Sequence, residues 1–337
     1  MASYLVLQHE RAWLRVSVAL VCLLSFWVLA STHWGIDTAY ALPDSVRTGG
    51  TWTNNALALL GIAVLMVLMH TDATAHAALA ADLRRAIEER QFQLYYQAQV
   101  DQDGRVIGSE ALLRWQHPSR GMVPPGEFIP TLEQTGLIVP VGRWVIETAG
   151  HQLARWAQQP NLSGLTLSVN VSAHQVRQSD FVNQIRDVVE RYGIGPGRLK
   201  IELTESMLVR DIDEVISKMS QLKAHGVGFS LDDFGTGFSS LNYLKRMPLD
   251  QLKIDQSFVR DVLSDGHDAA IARTVITLGQ SLGLNVIAEG VETEGQRDFL
   301  ASNGCHAFQG YLYSRPLALG EFEAYVMDHR GAPASTT

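Results

Sequence analysis

The sequence predicts an α/β protein with a parallel sheet, and three observations carry that expectation. From about Phe92 onward, short apolar runs of strand length alternate with longer stretches of helical periodicity. Turn-forming residues such as Gly193-Ile194-Gly195-Pro196-Gly197 separate them. The repeat continues for roughly 240 residues, a length that suits a closed (β/α)8-type, TIM-like barrel. A doubly wound open sheet is the other arrangement that such units allow. One strand is expected to depart from the parallel pattern, because Asp101-Gln102-Asp103-Gly104 reads as a hairpin turn between the first two strands.

Taken in order, the chain opens on two uncharged apolar stretches. Val16 to Ile36 and Thr51 to Met69 contain no Asp, Glu, Lys or Arg, and each is close to the ~20 residues that cross a bilayer as a helix. Arg11 and Arg15 precede the first, Arg84 and Arg85 follow the second, and Asp37, Asp44 and Arg47 lie between them. The charge asymmetry places both ends in the cytoplasm. The expected division is therefore a membrane anchor over 1–69 with two transmembrane helices (about 16–36 and 51–69) and a helical connector over 70–90. A catalytic domain over 83–330 and a disordered tail over 331–337 complete it. On the connector, Leu79, Leu83 and Ile87 form one apolar stripe whose expected use is packing on the domain that follows.

The strands are expected at Phe92–Val100, Val106–Trp115, Leu165–Val171, Leu199–Leu203, Val227–Leu231, Gln251–Ile254, Val286–Ala288 and Ala307–Leu312. Helices are expected at Gly142–Gln158, Asp180–Tyr192, Val215–His225, Ala269–Leu282, Glu294–Ser302 and Leu319–Asp328. Cys22 and Cys305 are too far apart and too few to form a disulfide framework. A net charge of −8 with no Lys/Arg-rich block argues against a nucleic-acid polymer as partner.

A regularity at the strand ends points to chemistry. Glu110, Asn170, Glu202, Asp232-Asp233, Lys253, Asp255, Glu289 and Gln309 each fall within or just after a strand-like run. In a parallel barrel the C-terminal strand ends share one face, where such folds build their sites. A single strand-end acid is as easily a helix cap or half of an ion pair, but acids on consecutive strands repel one another unless cations lie between them. Oxygen ligands without His or Cys suit hard ions such as Mg²⁺ or Mn²⁺. Acidic sites of that kind perform displacement at phosphorus, so the residues themselves point to a metal-dependent phosphoester hydrolase.

Glu110-Ala111-Leu112-Leu113-Arg114-Trp115 resembles the signature of the EAL-domain phosphodiesterases of bacteria. The likeness runs on through Asn170-Val171-Ser172, Glu202-Leu203-Thr204-Glu205-Ser206, Asp232-Asp233-Phe234-Gly235-Thr236-Gly237, Lys253-Ile254-Asp255, Ala288-Glu289-Gly290-Val291-Glu292 and Gln309-Gly310-Tyr311. The resemblance implies a TIM-like barrel with one antiparallel strand. It also implies hydrolysis of cyclic di-GMP to linear 5′-pGpG, which lowers a second messenger of biofilm and motility control. It implies two Mg²⁺ or Mn²⁺ ions, with Ca²⁺ inhibitory. Glu110, Asn170, Glu202 and Asp232 are similar to the ligands of one ion, and Asp232, Asp233 and Glu289 to those of the other. Lys253 would orient the attacking water, Gln97, Arg114, Asp255 and Gln309 would contact substrate, and Glu205 would hold the loop of Gly235, Thr236 and Gly237. Further implications are a homodimer through the barrel and, with the two apolar stretches, a multi-pass inner-membrane protein with its catalytic domain in the cytoplasm. Ala98 and Phe238 stand where the family more often has Pro and Tyr, and neither is a ligand.

Two other functions compete, besides an unrelated metal-dependent barrel lyase or isomerase, which the ordered motif set rejects. One is a catalytically silent cyclic di-GMP receptor or protein-interaction module, which would show a lost ligand where this chain fills each expected position. The other is a His-Asp phosphodiesterase, suggested by Gly266-His267-Asp268, but that pair is better explained as the opening of a helix.

Overall fold

The structure, a computed structural model, describes residues 77–205, 207, 211–235 and 241–329, with scattered positions between 52 and 66. Nine strands carry the fold among these residues: β1 (Phe92–Asp101), β2 (Val106–His117), β3 (Gly121–Val123), β4 (Thr166–Asn170), β5 (Leu199–Thr204), β6 (Gly228–Phe234), β7 (Gln251–Ile254), β8 (Asn285–Ala288) and β9 (Ala307–Gln309). Their order is β1-β9-β8-β7-β6-β5-β4-β2-β3, and β1 also pairs with β2, so eight strands close into a barrel and β3 stays outside as an extension of β2. From β4 to β9 successive neighbours are parallel, as are β2 and β4. β1 runs antiparallel to both β2 and β9, as its hairpin turn requires. In that turn Asp101 Oδ1 accepts hydrogen bonds from the N–H groups of Asp103 and Arg105, each 2.9 Å long.

Side-chain alternation sorts each strand into two faces. One face of β4 to β7 presents Leu167, Val169, Ile201, Leu203, Phe229, Leu231, Leu252 and Ile254, all buried beneath the surrounding helices. Each such side chain contributes about 1.5–3 kcal/mol on burial. The other face carries Ser168, Asn170, Glu202, Ser230, Asp232 and Lys253 into the barrel. The fold thus spends its apolar residues on the helix-facing layer and keeps its polar residues for the interior and mouth.

The helices are α1 (77–88), α2 (Pro125–Gln134), α3 (Ile138–Ala157), α4 (Ala173–Val176), α5 (Phe181–Tyr192), α6 (Ile212–Ala224), α7 (Leu241–Leu244), α8 (Gln256–Arg260), α9 (Gly266–Leu282), α10 (Glu294–Ser302) and α11 (Leu319–His329). Leu83 of α1 is fully buried and Leu79 and Ile87 pack beside it on the core, which is the use expected of that stripe. Trp156 of α3 and Phe322 of α11 close on Tyr96 of β1 with ring centroids 5.8 Å from it. The Trp156 indole also donates to Glu323 Oε1 at 2.9 Å, so the largest ring at this contact has its polar edge satisfied.

Several boundaries differ from expectation for local reasons. Helix α2 was not among the expected helices; its Pro125 occupies the first turn, where a missing N–H is harmless. Helix α9 begins at Gly266 rather than Ala269, since Asp265 caps it by accepting from His267 N–H at 2.6 Å. His267-Asp268 is therefore a helix opening. Strand β6 continues to Phe234, three residues beyond its expected end.

The expected inner-membrane, multi-pass location is corrected. Among the described residues no helix is long and apolar enough to cross a membrane. The expected span over 16–36 lies outside the described residues, as does most of 51–69, and the expected tail over 331–337 lies outside them too.

Candidate active site at the barrel mouth

The site is assembled by β2, β4, β5, β6, β7 and the segments after β7 and β8, and its centre is Lys253. This side chain is 1% exposed. Its Nζ lies 2.6 Å from Glu202 Oε2, 3.1 Å from Asp232 Oδ2 and 3.7 Å from Glu110 Oε2, and it is also paired with Glu289. Burial opposes the ammonium charge, but the carboxylates of Glu110, Glu202, Glu289 and Asp232 outweigh it and hold Lys253 well above the usual lysine range. Lys253 is therefore a fixed cation and a hydrogen-bond donor.

The carboxylates respond unequally. Burial pushes Glu202 up to about 7, with Lys253 opposing and Glu110 and Asp232 reinforcing the rise. Burial also drives Glu289 well above the ordinary carboxylate range. At Glu110 burial is overcome by the Lys253 charge and by hydrogen bonds from Gln309 and Asn170, so this group sits below its ordinary value. Asn170 Nδ2 donates to Glu110 Oε1, and Gln309 Nε2 donates to Glu110 Oε2 at 2.6 Å.

Simple strand alternation would send Asp232 and Asp233 to opposite faces. A bulge prevents this. Leu231 pairs with Leu252 and Phe234 with Ile254, so two residues of β6 oppose the single Lys253 of β7. Asp233 takes up the extra length with φ of +56°, in the left-handed region that Asp tolerates better than most residues. Its N–H donates to Asp232 Oδ1 at 2.9 Å. Both carboxylates consequently stay at the mouth. Partial burial, the Asp232 charge and the neighbouring Asp255 raise Asp233 to about 6. Asp255 has a second task, capping α8 by accepting from Ser257 N–H at 2.9 Å.

At the one position of the loop after β6 that is described, Gly235 N–H donates to Glu205 Oε2 at 3.3 Å. Gly235 has φ of +102°, and a Cβ there would lie 3.1 Å from the Phe258 ring. Thr236 and Gly237 lie outside the described residues.

A cleft of about 240 Å³ opens beside Glu110 and Glu289, lined also by Gln97, Leu112, Gln256, Glu292, Gln309 and Tyr311. That volume lies just below the ~300–1,000 Å³ usual for small-molecule sites. Arg114 stands two residues along β2 from Leu112, half-buried, with its guanidinium over the Tyr95 ring at 5.7 Å. Burial lowers Arg114 from its usual value, with Tyr311, Tyr95 and Glu110 opposing the shift. Gln256 and Leu112 were not singled out as site residues from sequence. Gln256 lies one residue beyond the expected Asp255, and only the turn into α8 brings it to the cleft.

The donor set fits a hard divalent cation in its chemistry. It is made of oxygens, and Glu202 Oε1 is buried without a hydrogen-bond partner while Oε2 is taken by Lys253. Among the described residues no group of three or more His, Cys, Asp or Glu side chains is disposed to hold an ion as it stands. Four of the carboxylates instead converge on the Lys253 ammonium.

An eight-stranded α/β barrel with clustered carboxylates, a buried lysine and an adjoining cleft at its C-terminal strand ends defines an acid-rich barrel-mouth site. The EAL domain profile matches residues 80–316. The chain belongs to the EAL domain family. It is 44% identical over 259 residues to a bifunctional diguanylate cyclase/cyclic di-GMP phosphodiesterase, MucR, of Pseudomonas aeruginosa, covering 77% of this chain and 38% of the relative. It is 39% identical over 262 residues to the cyclic di-GMP phosphodiesterase NbdA of the same species, covering 77% and 33%. The chain thus spans less than two fifths of the length of these two curated relatives. Among solved structures, the PaMucR phosphodiesterase in complex with c-di-GMP superposes with a TM-score of 0.70 at 44% identity, over 73% of this chain and 99% of that one. The EAL domain of Mycobacterium smegmatis DcpA gives 0.60 at 34% identity, over 71% and 97%.

Proposed function

We propose that this protein hydrolyses cyclic di-GMP to linear 5′-pGpG. The observation that carries the reading is the convergence of Glu110, Glu202, Asp232 and Glu289 on Lys253 beside an open cleft, in a chain of the EAL family. Glu110, Asn170, Glu202 and Asp232 would hold one Mg²⁺ or Mn²⁺, and Asp232, Asp233 and Glu289 a second. Such ions supply the positive charge that activates a water and offsets charge on the phosphoryl oxygens.

The chain's own residues do the rest. Lys253 has no free electron pair to accept a proton, because its neighbours keep it protonated; it orients the attacking water and steadies developing negative charge. The water oxygen forms a bond to phosphorus as the bond from phosphorus to the ribose 3′ oxygen breaks, and that oxygen leaves as a hydroxyl. Gln97 offers an amide N–H to the phosphate and sugar edge and Arg114 a guanidinium to phosphate, while Gln309 keeps its amide hydrogens on Glu110 and Gln97. Glu205 fixes Gly235 and with it the backbone that carries Asp233.

The test is incubation of the full-length chain with cyclic di-GMP and Mg²⁺ or Mn²⁺, with the nucleotides separated by chromatography. Linear 5′-pGpG is the expected product. Tight cyclic di-GMP binding without any linear product would overturn the enzyme reading in favour of a receptor.

A further inference from the structure

We infer that Gln99, which lies behind the cleft and does not line it, is a positioning residue that fixes the Gln309 amide and through it the Glu110 carboxylate. The inference rests on the phosphodiesterase reading above.

Three glutamines form one chain of hydrogen bonds. Gln309 Nε2 donates to Glu110 Oε2 at 2.6 Å and to Gln97 Oε1 at 3.1 Å. Gln97 Nε2 donates in turn to the Ser314 carbonyl at 3.1 Å. Gln99 Nε2 donates to Gln309 Oε1 at 3.0 Å. An ionised carboxylate and a backbone carbonyl only accept, so the two ends of the chain fix the orientation of every amide between them. Both hydrogens of the Gln309 amide are committed, and its oxygen is left for a donor that, among the described residues, Gln99 supplies. Turned over, Gln309 would set its oxygen against the oxygens of Glu110 and Gln97, and its nitrogen against the nitrogen of Gln99.

The backbone is shaped to put Gln99 there. Gln99 pairs directly with Gln309 across β1 and β9. Gln99 faces Gly108 at the last regular pair of the β1–β2 ladder, just before its register shifts. A Cβ on Gly108 would come within 3.3 Å of Gln99 Oε1 and would collide with Thr166 Oγ1. Gln99 itself is 2% exposed. With Asn170 on one oxygen of Glu110 and Gln309 on the other, the carboxylate presents its remaining lone pairs at a set angle. Gln99 keeps that angle from behind.

The experiment is a mutant cycle in the full-length chain. Gln99→Met keeps the side-chain volume and removes the donor. It should lower kcat by roughly ten- to a hundred-fold, the range of partners that orient a ligand, leave KM within a few-fold, and weaken Mn²⁺ binding by calorimetry. Gln99→Glu, which opposes the Gln309 oxygen with another acceptor, should lower kcat further. In a Gln309→Met background, Gln99→Met should change little, because its effect passes through Gln309. Wild-type kcat and Mn²⁺ affinity in Gln99→Met would overturn the inference, as would losses that simply multiply in the double variant. Circular dichroism accompanies each variant, and Gln99→Leu carries the same test if Gln99→Met does not fold. If the wild type fails to cleave cyclic di-GMP, the functional reading falls and the Mn²⁺ affinities decide alone. Weakening that vanishes in the Gln309→Met background supports the inference, and unchanged affinity overturns it.

Discussion

Raising the pH from about 5 to about 8 in the presence of a chelator should destabilise the barrel, the reverse of the usual carboxylate effect. Glu202 has its folded value raised from 4.5 to about 7. Between those values the folded state holds a proton that the unfolded chain releases, so stability falls as pH rises. The stabilisation is complete below about pH 4.5 and is lost as pH passes through about 7. For an isolated group with these two values, linkage gives a loss on the order of 2–3 kcal/mol between pH 5 and pH 8. Glu289, also raised, acts in the same direction, and so does partly exposed Asp233, more weakly because solvent screens it. Glu110, lowered, is ionised in both states across this window and contributes no slope, and Lys253 stays charged throughout. For a domain of this size a loss on the order of 2–3 kcal/mol corresponds to roughly 5–10 °C in Tm. Thermal melts with EDTA, wild type against Glu202→Gln, measure the difference directly. The wild-type slope should flatten in the variant, and Mn²⁺ should flatten it in the wild type by taking the place of the protons. A slope that survives Glu202→Gln unchanged would refute the assignment.

Further outcomes follow from the same geometry. Lys253→Met should abolish detectable turnover and cost the metal-free protein about 3–5 kcal/mol in urea unfolding, since it strands buried carboxylates without their counter-charge; wild-type stability would disprove that role. Glu205→Ala should cut turnover about ten-fold or more with the circular dichroism unchanged, because it frees the Gly235 backbone; unfolding instead would make Glu205 a structural residue first. Gly235→Ala should cost about 1 kcal/mol or more through its positive φ and the Phe258 contact, read by denaturant midpoint. Ca²⁺ substituted for Mg²⁺ should suppress turnover, as it prefers longer bonds and more ligands; full activity in Ca²⁺ would contradict the compact site.

The barrel was legible because its signals are periodic. Apolar runs such as Leu252 and Ile254 or Leu199, Ile201 and Leu203 mark buried strands, and the Asp101–Gly104 turn announced the antiparallel β1. The strand-end residues were legible for a related reason: a polar residue breaking an apolar run, as Lys253 does in β7, must face the interior or the mouth. What sequence could not show depends on register. The bulge at Asp232-Asp233 is set by how β6 pairs with β7, and strand alternation alone gives the wrong face for one carboxylate. Gln99 has no local signal either, because its importance arises from the residue across the ladder. The apolar stretches near the N-terminus were the reverse case, where composition suggested a membrane location that no described helix bears out.

The bulge explains how one lysine can serve so many acids. Five carboxylates, those of Glu110, Glu202, Asp232, Asp233 and Glu289, share the mouth with Lys253 as the single buried cation among them. Without the bulge Asp233 would leave the cluster and the imbalance would shrink. With it, the fold accepts left-handed backbone at Asp233 and raised carboxyls at Glu202, Glu289 and Asp233, each of which lowers stability. Such strain persists when the surrounding structure over-determines it and when the strained group has work to do. Here the surrounding structure is identifiable: Glu205 on Gly235, Asp255 beside Asp233, and the glutamine chain behind Glu110. Negative charge that the protein leaves unbalanced is charge that divalent cations can balance. Under the proposed function, the same imbalance that weakens the metal-free barrel at high pH would give the mouth its affinity for divalent ions, and stability and activity should respond in opposite directions when single acids of the cluster are neutralised.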